Sequence, residues 1–166
     1  MTEPGGCGSD KNVNPTTLSV LLQDIVEGMG FQSELVSLYL NTATGEIDPI
    51  AEETLAAVDA GEDIDPMTGE SLDSIRSLLT GTEFIPLPDR FEIDEYRMME
   101  RFAQAVADQS ISDTLFRALK GSGAFRRFKD TVKHLGLADN WYEFRDHAYE
   151  EIAIGWCKEQ GIEYHR

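Results

Sequence analysis

The stretch Gly121-Ser122-Gly123-Ala124-Phe125-Arg126-Arg127-Phe128-Lys129-Asp130 has the residue types of an anion site. Two glycines ahead of a helix expose unpaired backbone N–H groups. The positive end of the helix dipole then adds to Arg126, Arg127 and Lys129 in the first two turns. Phosphate, a nucleotide or a nucleic-acid backbone is what such a cluster would take, with Arg145 as a further cation. The same residues also make an ordinary turn between two helices followed by a solvated basic face, and this is the reading they favour. No strand precedes the glycines as a dinucleotide fold requires, and there is no Gly-Lys-Ser/Thr phosphate loop. Cations at a helix N-terminus oppose its dipole and need negative partners, so internal pairing to carboxylates such as Asp130 and Asp146 is expected.

Glu143, His147 and Glu150 fall on one helical face at i, i+4 and i+7, the spacing of a metal or acid–base site. One His with two Glu lacks the second His of His-Glu-x-x-His, and such a face is ordinarily solvated charge. Trp141 and Phe144 beside Arg145 could stack on a base, but they lie on a core stripe. The acids of 46–73 could hold calcium, yet neither Asp59-Ala60-Gly61 nor Asp63-Ile64-Asp65 supplies the alternating acids and terminal Glu of a calcium loop. There is no Gly-x-Ser-x-Gly, and Cys7 and Cys157 form neither a disulfide framework nor a zinc set. No catalytic residue, metal or cofactor is assigned. Cys157, beside Trp156, reads as a small core hydrophobe.

The elements that must position these residues divide by charge. The net charge is −17 over 166 residues. Residues 1–95 carry 20 acids against the three bases Lys11, Arg76 and Arg90, whereas residues 96–166 carry 11 of each sign. The acidic half repels nucleic acid and anionic membranes and attracts a basic protein surface. A start without a basic or apolar leader, and the lack of an apolar run of about 20 residues, give a cytoplasmic expectation.

Residues 1–15 are Gly, Ser, Asp, Asn and Pro-rich and read as a disordered tail. From Thr16, Leu18, Leu21, Leu22, Ile25 and Val26 recur at helical spacing, with Gly28 and Gly30 past the end. Residues 35–40, the turn Asn41-Thr42-Ala43-Thr44-Gly45 and a run around Ile47 and Ile50 make a β-hairpin. Residues 51–82 read as a loop with one or two short helices, and 83–87 as an edge strand. Thr-Gly-Glu recurs at 44–46 and 68–70, in surroundings that do not match. Four helices follow: 92–107; Ser110 to Gly121, capped by Ser110; 122 or 123 to Gly136; and Asn140 to Gly161, capped by Asn140 with Glu143. The last carries Trp141, Phe144, Ala148, Ile152 and Gly155 flanked by Tyr142, Tyr149, Ala153 and Trp156, a stripe wide enough to pack on two sides.

Taken together, Gly121-x-Gly-Ala-Phe-Arg-Arg-Phe-Lys-Asp130, Asp139-x-Trp-Tyr-x-Phe-Arg-Asp146, Glu151-Ile-Ala-x-x-Trp156 and Gly161-Ile162 resemble the bacterial uncharacterised protein family 0158. Tyr39-Leu-Asn-x-x-Thr-Gly-Glu-Ile47 and Ile85-Pro86 followed by Met99-x-x-Phe102 are similar to it too. The likeness covers about residues 18–162 and implies no activity, cofactor or partner. The expected class is therefore α+β: a helix and hairpin, with a third edge strand, packed on a cluster of about four helices as one domain over 16–166. The expected function is a non-enzymatic interaction or regulatory module whose acidic half meets a basic protein. Phosphate, nucleotide or nucleic-acid binding through Arg126, Arg127 and Lys129 is the alternative, and an enzyme using Glu143, His147 and Glu150 comes third.

Overall fold

The computed structural model describes residues 19–166. The expected tail and the first residues of the expected N-terminal helix, Thr16–Leu18, lie outside them. Ser19–Leu21 is not helical: it forms strand β1, which pairs in parallel with the C-terminal strand β5, Glu163–His165. Ser19 Oγ lies 2.9 Å from His165 Nδ1. Local periodicity does not register a partner at the far end of the chain. Helix α1 therefore starts at Leu22 and runs to Phe31, through Gly28 and Gly30 rather than stopping before them. Packing explains the first of these glycines. A Cβ on Gly28 would come within 2.7 Å of Leu87 Cδ2 and 3.3 Å of Ile47 Cδ1, so a larger residue here would require those side chains to shift.

The hairpin expected over 35–50 is present as β2 (Val36–Asn41) and β3 (Ile47–Ala51), and the expected edge strand as β4 (Phe84–Pro86). The order is β3-β2-β4, all antiparallel. Backbone bonds from Asn41 to Glu46 and from Glu52 to Leu35 fix the alternation: odd residues of β2 bond β3, and even ones bond β4, as Leu87 N–H to Leu38 confirms. Pro49 opposes Leu38 and Pro86 opposes Tyr39, both at pairs without ladder bonds. The nitrogens of both prolines thus face outward, and each open edge lacks a donor where another strand would need one.

The hairpin turn recurs. Asn41 Oδ1 accepts from Ala43 and Thr44 N–H, Gly45 N–H donates to Asn41 O, and Thr44 Oγ1 accepts from Glu46 N–H. The segment from Asp65 repeats each contact: Asp65 Oδ1 accepts from Met67 and Thr68 N–H, Gly69 N–H donates to Asp65 O, and Thr68 Oγ1 accepts from Glu70 N–H. Gly45 and Gly69 have φ of 81° and 72°. The surroundings of the two Thr-Gly-Glu strings therefore do match, because Asn and Asp supply the same acceptor three residues before Thr-Gly. The second turn closes the Ile64–Ser71 bridge between the two short helices of this segment, α2 (Glu52–Asp59) and α3 (Asp73–Thr80). Asp65 also accepts from Thr54 Oγ1 at 2.9 Å, and both residues are buried with Ile50, Ala57 and Leu72, outside the main core.

The helical half opens with a break inside the expected helix 92–107. A short α4 (Arg90–Ile93), capped by Asp89 and Glu92, ends at Asp94 in the left-handed region (φ 43°), and α5 (Glu95–Ala105) starts there. Helix α6 (Gln109–Ala118) is capped by Asp108, not Ser110, because the Asp108 carboxylate reaches Ile111 N–H. Helix α7 (Ala124–His134) follows a left-handed Gly123, and α8 (Ala138–Gln160) starts two residues before Asn140 with no side-chain cap, ending at left-handed Gly161. Burial on α8 centres on Trp141, Ala148, Tyr149, Ala153, Trp156 and Cys157, with Phe144 and Ile152 only partly buried and Tyr142 exposed. One core cluster joins residues of both halves, from Val20, Ile25 and Leu40 to Phe128 and Cys157.

At its centre Phe102, Phe128, Trp141 and Phe144 meet edge-on or stacked, with ring centroids 5.0–6.4 Å apart. Trp141 is 1% exposed. Trp141→Ala is expected to destabilise the fold by about 3–5 kcal/mol, read from denaturant unfolding; a near-wild-type midpoint would remove this cluster from the core. The Met67 N–H, with Thr54 and Thr68, holds the Asp65 carboxyl below the usual carboxylate range against the opposing effect of burial. A depressed pKa stabilises above the unfolded value of about 4 and is lost as pH falls through the folded value. Asp65→Asn is therefore expected to cost stability at pH 7 by an amount that shrinks below about pH 4; a pH-independent loss would contradict the charge-dependent part of this contact.

Candidate functional site

The basic turn is assembled locally. Gly121 and Gly123 adopt φ of 74° and 75°, reversing the chain between α6 and α7. Arg127 then folds back over the turn. Its guanidinium donates to Ala118 O at 3.2 Å, to Gly121 O at 3.3 Å, and to the carbonyls of Lys120 and Ser122. A cation just inside the N-terminus of α7 thus sits at the C-terminal, negative end of α6, and the partners are backbone carbonyls rather than the expected carboxylates. Arg126 is 91% exposed and lies 3.9 Å from Asp130, a weak solvated pair. Lys129 is exposed.

Arg145 is placed with other residues. Its Nε is 3.3 Å from Glu95 Oε1, an ion pair without hydrogen-bond geometry, and its guanidinium lies 4.9 Å from the centre of the Tyr149 ring. Tyr149 donates its hydroxyl to Glu95 at 2.8 Å. Burial and the bond to Glu95 raise the Tyr149 pKa, only partly offset by Arg145. The trio ties α5 to α8, and neither cleft that Arg145 lines includes Arg126, Arg127 or Lys129. Glu143 and His147 are exposed, while Glu150 pairs with Arg166 at 3.2 Å. Among the described residues no three His, Cys, Asp or Glu side chains gather in a metal-holding group. Cys157 is fully buried, and burial raises its thiol pKa; Cys7 lies outside the described residues.

The acids of 46–73 are dispersed by the fold. Asp65 serves its turn, Asp73 pairs with Arg76 at 3.3 Å, and Glu52 accepts from Ser37. Burial, then the nearby carboxylates Glu52 and Asp59, raise the Tyr39 pKa. Glu46 and Asp48 go elsewhere. Both border a groove of about 880 Å³ between α1 and the β2–β3 hairpin whose α1 side carries Asp24 and Glu27, while Asp48, paired with Tyr39, lies on the sheet face opposite Leu38 and Ile47. The floor is apolar, with Gly28, Val36, Leu38 and Ile47, and Phe31 stands at its end, 75% exposed. No Lys, Arg or His lines it. The adjoining surface exposes Leu35 and Phe91, held near each other by Gln32, which donates to the carbonyls of Leu87 and Pro88, and by the 2.6 Å Glu34–Arg90 pair. Sequence reasoning missed Asp24, Glu27 and Phe31. Their signal was a glycine inside an apolar helical run, which marks a close approach of α1 to another element.

Comparison with family models, with curated proteins and with solved structures finds no match. No helix among the described residues is long and apolar enough to cross a membrane. The carbonyl contacts of Arg127 make it the structural member of the basic turn. Arg127→Gln is expected to lower stability by about 1–2 kcal/mol and Arg126→Gln by no more than about 0.5 kcal/mol, measured by chemical denaturation. Equal effects would show that the turn is not held by Arg127.

Proposed function

We propose that this chain is a cytoplasmic, non-enzymatic interaction module whose acidic half receives a basic protein surface. The observation that supports this is the groove beside α1: Asp24 and Glu27 stand beside an apolar floor of Val36, Leu38 and Ile47, with no cation among the lining residues. Polar surface of one sign around a desolvated centre is how interfaces combine steering with affinity. The excess of negative charge over residues 1–95 extends the same field beyond the groove. Nucleic acid is a poor fit to that field, and the commitment of Arg127 to carbonyls removes one of the three cations that a phosphate site would use.

Affinity capture from the native cell extract identifies the partner, and stopped-flow association with the purified partner tests its chemistry. The rate constant is expected to fall steeply between low and physiological salt, while dissociation changes less. A partner that is acidic at its contact surface, or an association rate indifferent to ionic strength, would sink the proposal.

A further inference from the structure

We infer that the cleft between the end of α1, the α4–α5 corner and α8 is a binding site for a free α-amino acid with an aromatic side chain. It is a second site, separate from the acidic groove and independent of it. Two clefts of about 520 and 480 Å³ share Gly30, Arg145 and Tyr149, a size suited to a small molecule. Gly28 has Leu87 and Ile47 against it, but a Cβ on Gly30 would meet no atom within 4 Å, and Gly30 is not in the left-handed region. Neither packing nor backbone conformation therefore accounts for this second glycine, which a helix disfavours. Its bare backbone widens the junction of the two clefts.

The charged groups of the smaller cleft suit a zwitterion. Arg145 is held by Glu95, 3.3 Å from Nε without hydrogen-bond geometry, and by the ring of Tyr149 at 4.9 Å. Its terminal nitrogens form the planar fork that a ligand carboxylate fits. The ammonium falls to Asp94, next in the chain to Glu95 and, among the described residues, the one non-glycine at positive φ. That turn lets Asp94 Oδ1 cap α5 at Arg97 N–H while the exposed carboxylate borders the cleft. Arg90 and Arg145 pair with Glu34 and Glu95, whereas Asp94 pairs with no cation among the described residues. The four lining charges cancel, so a neutral zwitterion avoids the repulsion that a chain of charge −17 exerts on an anion. Phe91 and Phe125, 79% and 44% exposed, offer an apolar wall for the ligand ring, with Phe125 backed by Tyr96 at a centroid distance of 6.4 Å.

The test titrates the full isotope-labelled chain with L-phenylalanine and follows its backbone amides by NMR, beside three probes that each lack one group. L-phenylalaninamide has no carboxylate, 3-phenylpropanoate no ammonium and L-alanine no ring. L-phenylalanine is expected to shift the amides of 29–32, 90–96 and 145–149, and each reduced probe to need at least about tenfold more for half-saturation. Asp94→Asn keeps a side-chain acceptor for the α5 cap and removes only the charge, while Gly30→Leu fills the junction of the clefts. Each is expected to weaken L-phenylalanine binding at least about tenfold, with no fall in the melting temperature for Gly30→Leu. Equal binding of L-phenylalaninamide would hand the cleft to the N-terminal residue of a peptide and overturn the free amino acid. Equal binding of 3-phenylpropanoate would overturn the zwitterion, and equal binding of L-alanine the aromatic side chain. No shift at about 10 mM L-phenylalanine, or undiminished binding to either variant, would sink the site.

Discussion

Everything in this fold is arranged around the burial of α8 on more than one side. A helix of 23 residues whose Trp141, Tyr149, Ala153, Trp156 and Cys157 are all buried cannot be covered by a single neighbour. It is covered by α1 along one side and by α5 and α7 along another, and β5 then continues its chain back to β1. The aromatic cluster of Phe102, Phe128, Trp141 and Phe144 is the consequence, because α5, α7 and α8 each send large rings into the same space. Docking α1 on α8 leaves its other side for the sheet. Gly28 lies at that second contact, against Leu87 and Ile47, and Asp24 and Glu27 stand beside it at the edge of the groove.

The charge division between the halves follows from this architecture. The helical half is balanced, and three of its arginines have local partners: Arg127 carbonyls, Arg145 Glu95 and Tyr149, and Arg101 Glu151 at 3.9 Å. The acidic half has few cations to engage. Some of its carboxylates cap turns, as Asp65 does, a few pair with Arg76, Arg90 or Arg145, and others, such as Glu46, are exposed. Free negative charge beside exposed Phe31 and Leu35 is a combination that interior packing does not require, and it is the basis for assigning a partner to this side of the molecule.

What could be read from the sequence was the chemistry that acts within a few residues. The hairpin was legible because β-prone residues flank a turn with Asn41 and Gly45, and the C-terminus of α8 because Gly161 accepts a left-handed conformation. The acidic excess was legible by counting. Contacts between distant residues were not: β1 is a strand only because β5 lies beside it, and α1 continues through two glycines, one of them packed against Leu87 and Ile47. Caps were misplaced by two residues where Asp108 outcompeted Ser110. The repeated turn was overlooked because Asn and Asp look different in a string and identical as hydrogen-bond acceptors. The groove was invisible for the same physical reason as β1, since neither wall is a motif and only the fold brings the two together.

The claim that most needs measuring is that this groove, rather than the basic turn, is where a protein partner binds. Backbone amide chemical shifts of the isotope-labelled chain, followed by NMR during titration with a basic synthetic peptide of leucine and lysine, address it directly. The account predicts shifts concentrated at residues 24–31 and 45–49, with the amides of 118–127 unmoved. Shifts centred on Gly121–Arg127, or spread evenly over the surface, would contradict it.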